Sequence, residues 1–186
     1  MPQKVEGLIV KEALGDGDPL TRLEAVWPSQ PEWQCRLLIA VARKGLLDEA
    51  SARMTEEALN TCRPMWAAVL VDARRFEESL EVLGDLRGCV ADIQAGRAQL
   101  ALNEPLIARR RIEAAMKSCG GQSLTMRHLL GISAIRSGDV AGGLRILERA
   151  VTDHPNATWA RRSLLAELEA AGRFEAAAAQ RELLKK

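Results

Sequence analysis

Apolar runs with helical spacing recur along the chain, and each is interrupted once by a short polar turn. Leu37–Ala50 reads LLIAVARKGLLDEA, Trp66–Ser79 WAAVLVDARRFEES, Leu130–Pro155 LGISAIRSGDVAGGLRILERAVTDHP and Leu164–Ala177 LLAELEAAGRFEAA. Apolar residues three and four apart place one greasy stripe on a helix, so each run predicts a pair of amphipathic helices around its break. The breaks fall at Gly17, Gly45, Arg74, Asn103, Gly138 and Gly172, spaced by 28, 29, 29, 35 and 34 residues. A period in that range is what a helix-turn-helix array produces. The expected fold is all-α, one array over residues 1–186, with hairpins at about 3–30, 31–59, 60–88, 89–123, 124–157 and 158–186. Ser29-Gln30-Pro31, Arg63-Pro64, Ser118-Cys119-Gly120-Gly121 and His154-Pro155-Asn156 read as turns between helices.

Within the runs, size alternates in a fixed way. A large apolar residue follows the turn by two positions (Leu47, Phe76, Val140, Phe174), and a small one comes three later (Ala50, Ser79, Gly143, Ala177). The small residue is expected to let the second helix approach the first, and the large one to fill the groove between them.

Composition agrees with helices: Leu, Ala, Arg and Glu are abundant and β-branched residues are few. Apolar residues make up 47% and charged ones 27%, and no uncharged run approaches the roughly 20 residues that a membrane helix needs. Lys4, Glu6, Lys11 and Glu12 would interrupt the apolar core of a secretory leader, so a cytoplasmic protein is expected. With 26 Lys and Arg against 25 Asp and Glu, no global field draws the chain to nucleic acid or an anionic membrane. The absence of Tyr also removes stacking platforms for single strands. Cys35, Cys62, Cys89 and Cys119 lie 27, 27 and 30 residues apart without a CxxC pair, and are expected to be reduced, packed thiols. Two disulfides or a metal site, the sharper alternatives, call for a small secreted domain or a tighter ligand cluster.

Catalytic chemistry has few candidates. His128 sits in a helix and reads as a groove-lining or half-buried polar contact, while His154 stands beside Asp153 and Pro155 in a turn. Asp16 and Asp18 lack the further acids of a calcium loop, and Gly120-Gly121 lacks the following GK of a phosphate loop. No enzyme activity, cofactor or metal is expected. Trp27, Trp33, Trp66 and Trp159 read as core wedges, with one exposed Trp a credible binding anchor.

The run from Leu130 resembles the tetratricopeptide repeat. Leu130-Gly131 matches the family's Leu-Gly pair, Gly138 its turn, Gly143 and Ala150 its small positions and Pro155 its terminal proline. Ala95, Gly96, Ala108 and Ala115, with the turn at Asn103 and Pro105 early in the second helix, repeat the scheme one unit earlier. The resemblance spans residues 31–186, more weakly from residue 3, and implies a right-handed α-solenoid of about six hairpins whose first helices line a concave groove. By position the groove would hold Arg36, Ile39, Arg43, Met65, Ala68, Asp72, Gln94, Arg97, His128, Ile132, Arg136, Arg162, Ser163 and Glu169. Five arginines and a histidine there face two acids, which suits an acidic or amphipathic protein segment. The positions of the family's carboxylate clamp hold Cys35, Pro64, Ile93, His128 and Arg162, so that function is not implied. The expected role is a protein-binding adaptor, assembly factor or chaperone. The alternative is self-assembly through the end hairpins, using Leu8, Ile9 and Leu14 at one end and Leu183 and Leu184 at the other.

Overall fold

The computed structural model describes residues 29–120 and 123–185. The expected hairpin at 3–30, with Gly17, Asp16, Asp18, Trp27 and the end contacts Leu8, Ile9 and Leu14, lies outside them, as does Gly121. Ten α-helices and no strand occur among the described residues: α1 Pro31–Arg43, α2 Leu47–Arg53, α3 Glu56–Asp72, α4 Phe76–Leu83, α5 Cys89–Ala101, α6 Pro105–Ser118, α7 Leu124–Arg136, α8 Val140–Asp153, α9 Thr158–Ala170 and α10 Phe174–Leu183. The chain divides into two compact units, Met1–Gly84 and Asp85–Lys186.

In the first unit, α1 packs on α2 and on α3, and α3 packs on α4. Its core is built from Cys35, Leu37, Leu38, Val41, Cys62, Trp66 and Leu70, all deeply buried. In the second unit, α5 packs on α6, α6 on α7, α7 on α8, α8 on α9 and α9 on α10, and α5 also meets α7. Leu100, Ile132, Leu144, Leu147, Leu164 and Leu168 form its main cluster, and Ile112, Ala115 and Met126 a smaller one.

The turn within each hairpin foreseen in the described residues is made by the residue named for it. Gly45, Arg74, Asn103, Gly138 and Gly172 have φ of 96°, 64°, 62°, 99° and 69°, the left-handed conformation that ends a helix. The next residue then bonds back across the last turn: Arg75, Glu104, Asp139 and Arg173 donate their N–H groups to the carbonyls of Leu70, Gln99, Ala134 and Leu168 at 2.8 to 2.9 Å. Helix starts are fixed as clearly. Thr55, Ser123 and Asp139 accept from the N–H groups of Ala58, Met126 and Gly142, and Pro31 and Pro105 open α1 and α6.

The change of period has a simple cause. The second helices α2 and α4 have 7 and 8 residues, whereas α6 and α8 have 14 each. The third hairpin begins earlier than the expected residue 60, because the Thr55 cap launches α3 at Glu56. Arg63-Pro64 accordingly lies inside a helix rather than between two. The proline ring has no room against the carbonyl four residues back, and α3 kinks at Cys62 (φ −144°, ψ 19°).

Small residues sit where the helices cross. Ala50, Ala108, Ala115, Ala150 and Ala177 are buried, and Ser79 is buried with its hydroxyl donating to the Ala67 carbonyl at 3.1 Å. A Cβ on Gly96 would lie 2.5 Å from Ile112, and one on Gly131 2.7 Å from Leu147. The large residues after the turns behave differently from expectation in the second unit. Val140 and Phe174 are 39% and 71% exposed, because each is the first residue of its helix and stands at the open turn edge, one helical turn before the buried stripe begins.

The thiols are also paired, which corrects the expectation of four reduced cysteines. Cys35 and Cys62 form one disulfide, with Cα atoms 6.5 Å apart, and Cys89 and Cys119 the other, at 5.0 Å. Each bond stays within one compact unit. Cys35 and Cys62 meet where the first helices of neighbouring hairpins, α1 and α3, pack together, whereas Cys89 and Cys119 join the two ends of one hairpin, α5–α6.

Candidate binding surface

The second unit places three first helices, α5, α7 and α9, in sequence along the chain, and they carry eight of the expected groove residues. His128 on α7 is half-buried, and its Nε2 lies 2.8 Å from the Ser163 hydroxyl of α9. Its ring meets the Trp159 indole edge-on, with centroids 4.9 Å apart and planes at 74°. Burial pushes the His128 pKa down, so the neutral imidazole is favoured and one ring nitrogen can accept while the other donates. Trp159 is not a core wedge: it remains 49% exposed, one face of its environment being supplied by His128. Arg162 is exposed on the same helix as Trp159, three residues on.

On α5, Gln94 is buried and accepts from the Arg97 guanidinium at 2.8 Å, which holds half-buried Arg97 along its own helix. Arg136, at the last turn of α7, donates to the Leu100 carbonyl at 3.0 Å. This arginine therefore bonds the end of α5 as well as reaching solvent. It also lines a depression of about 630 Å³ with Asn103, Glu104, Pro105, Leu106, Ile107, Ser137 and Gly138. Ile132 is packed into the core of this unit, so its side chain supports the surface from beneath.

The first unit holds the other expected residues. Arg36 pairs with Glu32 at 2.8 Å and lies 5.3 Å over the Trp33 ring, and Ile39 is buried in the core. Arg43 and Asp72 are exposed and share a depression of about 390 Å³ with Ala42, Gly45, Val69 and Ala73. Met65 is exposed on α3, and Ala68 half-buried.

Sequence reasoning missed two further features. Leu106 and Ile107, which follow the helix-opening Pro105, are exposed at the rim of the larger depression, Leu106 by 63%. Asp92 is buried, with its carboxylate 2.9 Å from Arg111, 3.5 Å from Arg87 and 3.1 Å from the Gly88 N–H. An acid three residues after the first residue of α5 was the available signal for that cap. Exposure of Leu106 had no counterpart in periodicity, because it depends on where the partner helix ends. Other ion pairs tie the fold rather than open a site: Arg75 bridges Asp48 at 2.7 Å, and Arg127 pairs with Asp153, holding that carboxyl below its usual range. Among the described residues, no three His, Cys, Asp or Glu side chains gather closely enough to hold a metal ion, and no helix is long and apolar enough to cross a membrane.

Comparison with protein-family models, with curated proteins and with solved structures finds no match for this chain.

Proposed function

We propose that this chain is a non-enzymatic binding module, a tetratricopeptide-like right-handed α-solenoid that holds an acidic or amphipathic segment of a partner protein against its first helices. The observation that carries the reading is Trp159, half-exposed yet held edge-on by His128, which is itself bonded to Ser163. An aromatic that is oriented before binding loses little freedom when a partner covers it, and such residues dominate binding energy at protein interfaces. Arg162, in the next turn of the same helix, adds a charge for acidic groups. The role of adaptor or chaperone follows from this surface and from the resemblance in residues 89–186.

A photo-crosslinking amino acid at position 159, compared with one at exposed Arg145 on α8, tests the reading in the native cell. Capture of one protein through an acid-rich segment from position 159, and not from 145, is the expected result. Capture from 145 alone would move the working surface to the second helices.

Self-association is the second reading, favoured by Phe174 and Leu183, which leave α10 with exposed apolar side chains. Sedimentation equilibrium separates the two, since only this reading makes the purified chain associate by itself and lose that property in Phe174→Ser. A cytoplasmic address, expected from the charged early residues, sits poorly with two disulfides, which persist in oxidising compartments. The disulfides favour an oxidising workplace. Fractionation of the source cell, with thiol trapping at lysis, tests that choice.

A further inference from the structure

We propose that the Cys89–Cys119 disulfide is a thiol-exchange site that a low-molecular-weight thiol opens at Cys119, while Cys35–Cys62 is a permanent cross-link. The inference does not rest on the binding reading. Two independent contrasts carry it, one between the two disulfides and one between the two sulfurs of the second.

Exchange needs a thiolate to reach a disulfide sulfur from solvent. Cys35 and Cys62 are 0% and 2% exposed in the core of the first unit, among Leu37, Leu38 and Trp66. Cys89 and Cys119 are both only half-buried, at the start of α5 and just past the end of α6. The second bond is therefore the less buried of the two, with Cys119 packed against the edge of the Ile112, Ala115 and Met126 cluster.

The sulfurs of that bond occupy opposite helix poles. Cys89 is the first residue of α5, where unsatisfied backbone N–H groups stabilise a thiolate. Cys119 caps the end of α6, its N–H bonded to the Ala115 carbonyl at 2.8 Å, at the pole that disfavours negative charge. Charged side chains stand near both cysteines in the sequence, Asp85, Arg87 and Asp92 by Cys89 and Lys117 by Cys119, so the helix poles decide the direction. The carboxylate nearest in sequence to Cys89, Asp92, is already engaged by Arg111 and Arg87. The better leaving thiolate is thus Cys89, and the preferred point of attack is Cys119.

The step balances as follows. The incoming thiolate bonds to Cys119 Sγ, the Cys119–Cys89 bond breaks, and its electron pair leaves on Cys89 Sγ. The products are a mixed disulfide on Cys119 and a thiolate on Cys89. A second incoming thiolate, attacking the sulfur of the bound thiol, would release the small-molecule disulfide and leave both cysteines reduced. Glutathione serves as the probe.

The oxidised full chain is incubated with glutathione, quenched in acid at short times, alkylated and digested with trypsin, which separates the cysteines into residues 23–36, 54–74, 88–97 and 118–127. The expected result is glutathione on 118–127 and the alkyl group on 88–97, appearing at least tenfold faster than any label on 23–36 or 54–74. A Cys89→Ser variant, which leaves Cys119 without its resolving partner, should accumulate the Cys119 adduct from oxidised glutathione. Glutathione found first on 88–97 would overturn the assigned direction. Equal or faster opening of Cys35–Cys62, or no opening of either bond, would overturn the site itself.

Discussion

Gly143 on α8 lies so close to Gly131 on α7 that a Cβ at residue 143 would sit 2.6 Å from the Gly131 carbonyl oxygen and 2.9 Å from the Ile135 nitrogen. Both neighbours are backbone, which cannot rotate away as a side-chain tip can. Gly143→Ala should therefore force α7 and α8 apart and destabilise the protein by about 1–3 kcal/mol, and Gly143→Leu by more. Urea unfolding followed by circular dichroism measures it. An unchanged midpoint for the alanine variant would mean that the two helices do not cross at this pair.

Arg74 occupies the left-handed turn that Gly45, Gly138 and Gly172 fill elsewhere. A side chain with a Cβ pays roughly 1–2 kcal/mol for that conformation, while glycine pays part of it back in backbone entropy. Arg74→Gly should raise stability by a few tenths to about 1 kcal/mol. The reverse change, Gly138→Ala, meets no atom within 4 Å and should still destabilise by about 1 kcal/mol, through conformation alone. Thermal midpoints of the two variants should move in opposite directions.

The legible part of this fold is the part decided by local geometry. A left-handed turn wants glycine or asparagine and a helix crossing wants a small residue, so Gly45, Asn103, Gly138, Gly143 and Gly172 mark their places in the sequence. Register with those four turns identified Arg74 even though arginine is a poor residue for the job. What escaped depends on distances between segments. Cys35 and Cys62 meet because two successive first helices, α1 and α3, pack together, and no spacing rule for motifs contains that fact. Trp159 escaped its expected burial for a similar reason: its environment is set by His128, 31 residues earlier, and by where α9 begins. Of the candidate surface, helix phase put His128, Arg136 and Arg162 at the boundary with solvent, but it placed Ile39 and Ile132 one face too far out.

His128 should titrate below its ordinary value of about 6.5, because burial disfavours the imidazolium. The folded chain then binds fewer protons there than the unfolded chain in the window between the two values. Stability contributed by this group is present above about pH 6.5 and falls as the pH drops through that window. A two-dimensional NMR titration of the ring reads the shift directly. His128→Gln, which keeps a hydrogen-bonding group for Ser163 but cannot titrate, should flatten that portion of the stability–pH profile.

The Cys35–Cys62 bond closes a loop of 27 residues around the core of the first unit. Loops of this length lose enough freedom in the unfolded chain for the cross-link to supply about 2–4 kcal/mol. The double variant Cys35→Ala/Cys62→Ala should lose that amount, plus a cavity contribution, since both positions are buried. A thiol assay of the denatured, unreduced wild type should find no reactive thiol among the four cysteines. Four thiols in protein prepared without reductant would refute both bonds.

Arg97, Arg136 and Arg162 are the arginines of α5, α7 and α9 expected in the groove, yet they cannot be tested as one group. Arg136 donates to the Leu100 carbonyl, so its removal leaves the end of α5 with one bond fewer. Arg136→Ala should lower stability by roughly 0.5–1.5 kcal/mol. Arg162→Ala removes an exposed side chain and should cost less than about 0.5 kcal/mol. Arg97 stands between them, half-buried against Gln94, and its removal frees the Gln94 carbonyl oxygen. The cleanest probe of binding is therefore Arg162→Ala alone, and then with Trp159→Ala. Capture of an acid-rich partner should weaken with the first change, weaken further with the second and fall with added salt, while the melting point stays near that of the parent. If Arg162→Ala leaves capture and its salt dependence unchanged at an unchanged melting point, the charge that attracts the partner is not on α9. Loss of capture in Arg136→Ala alone would count for binding only after its melting point had been matched to the working temperature, because that residue serves the fold as well.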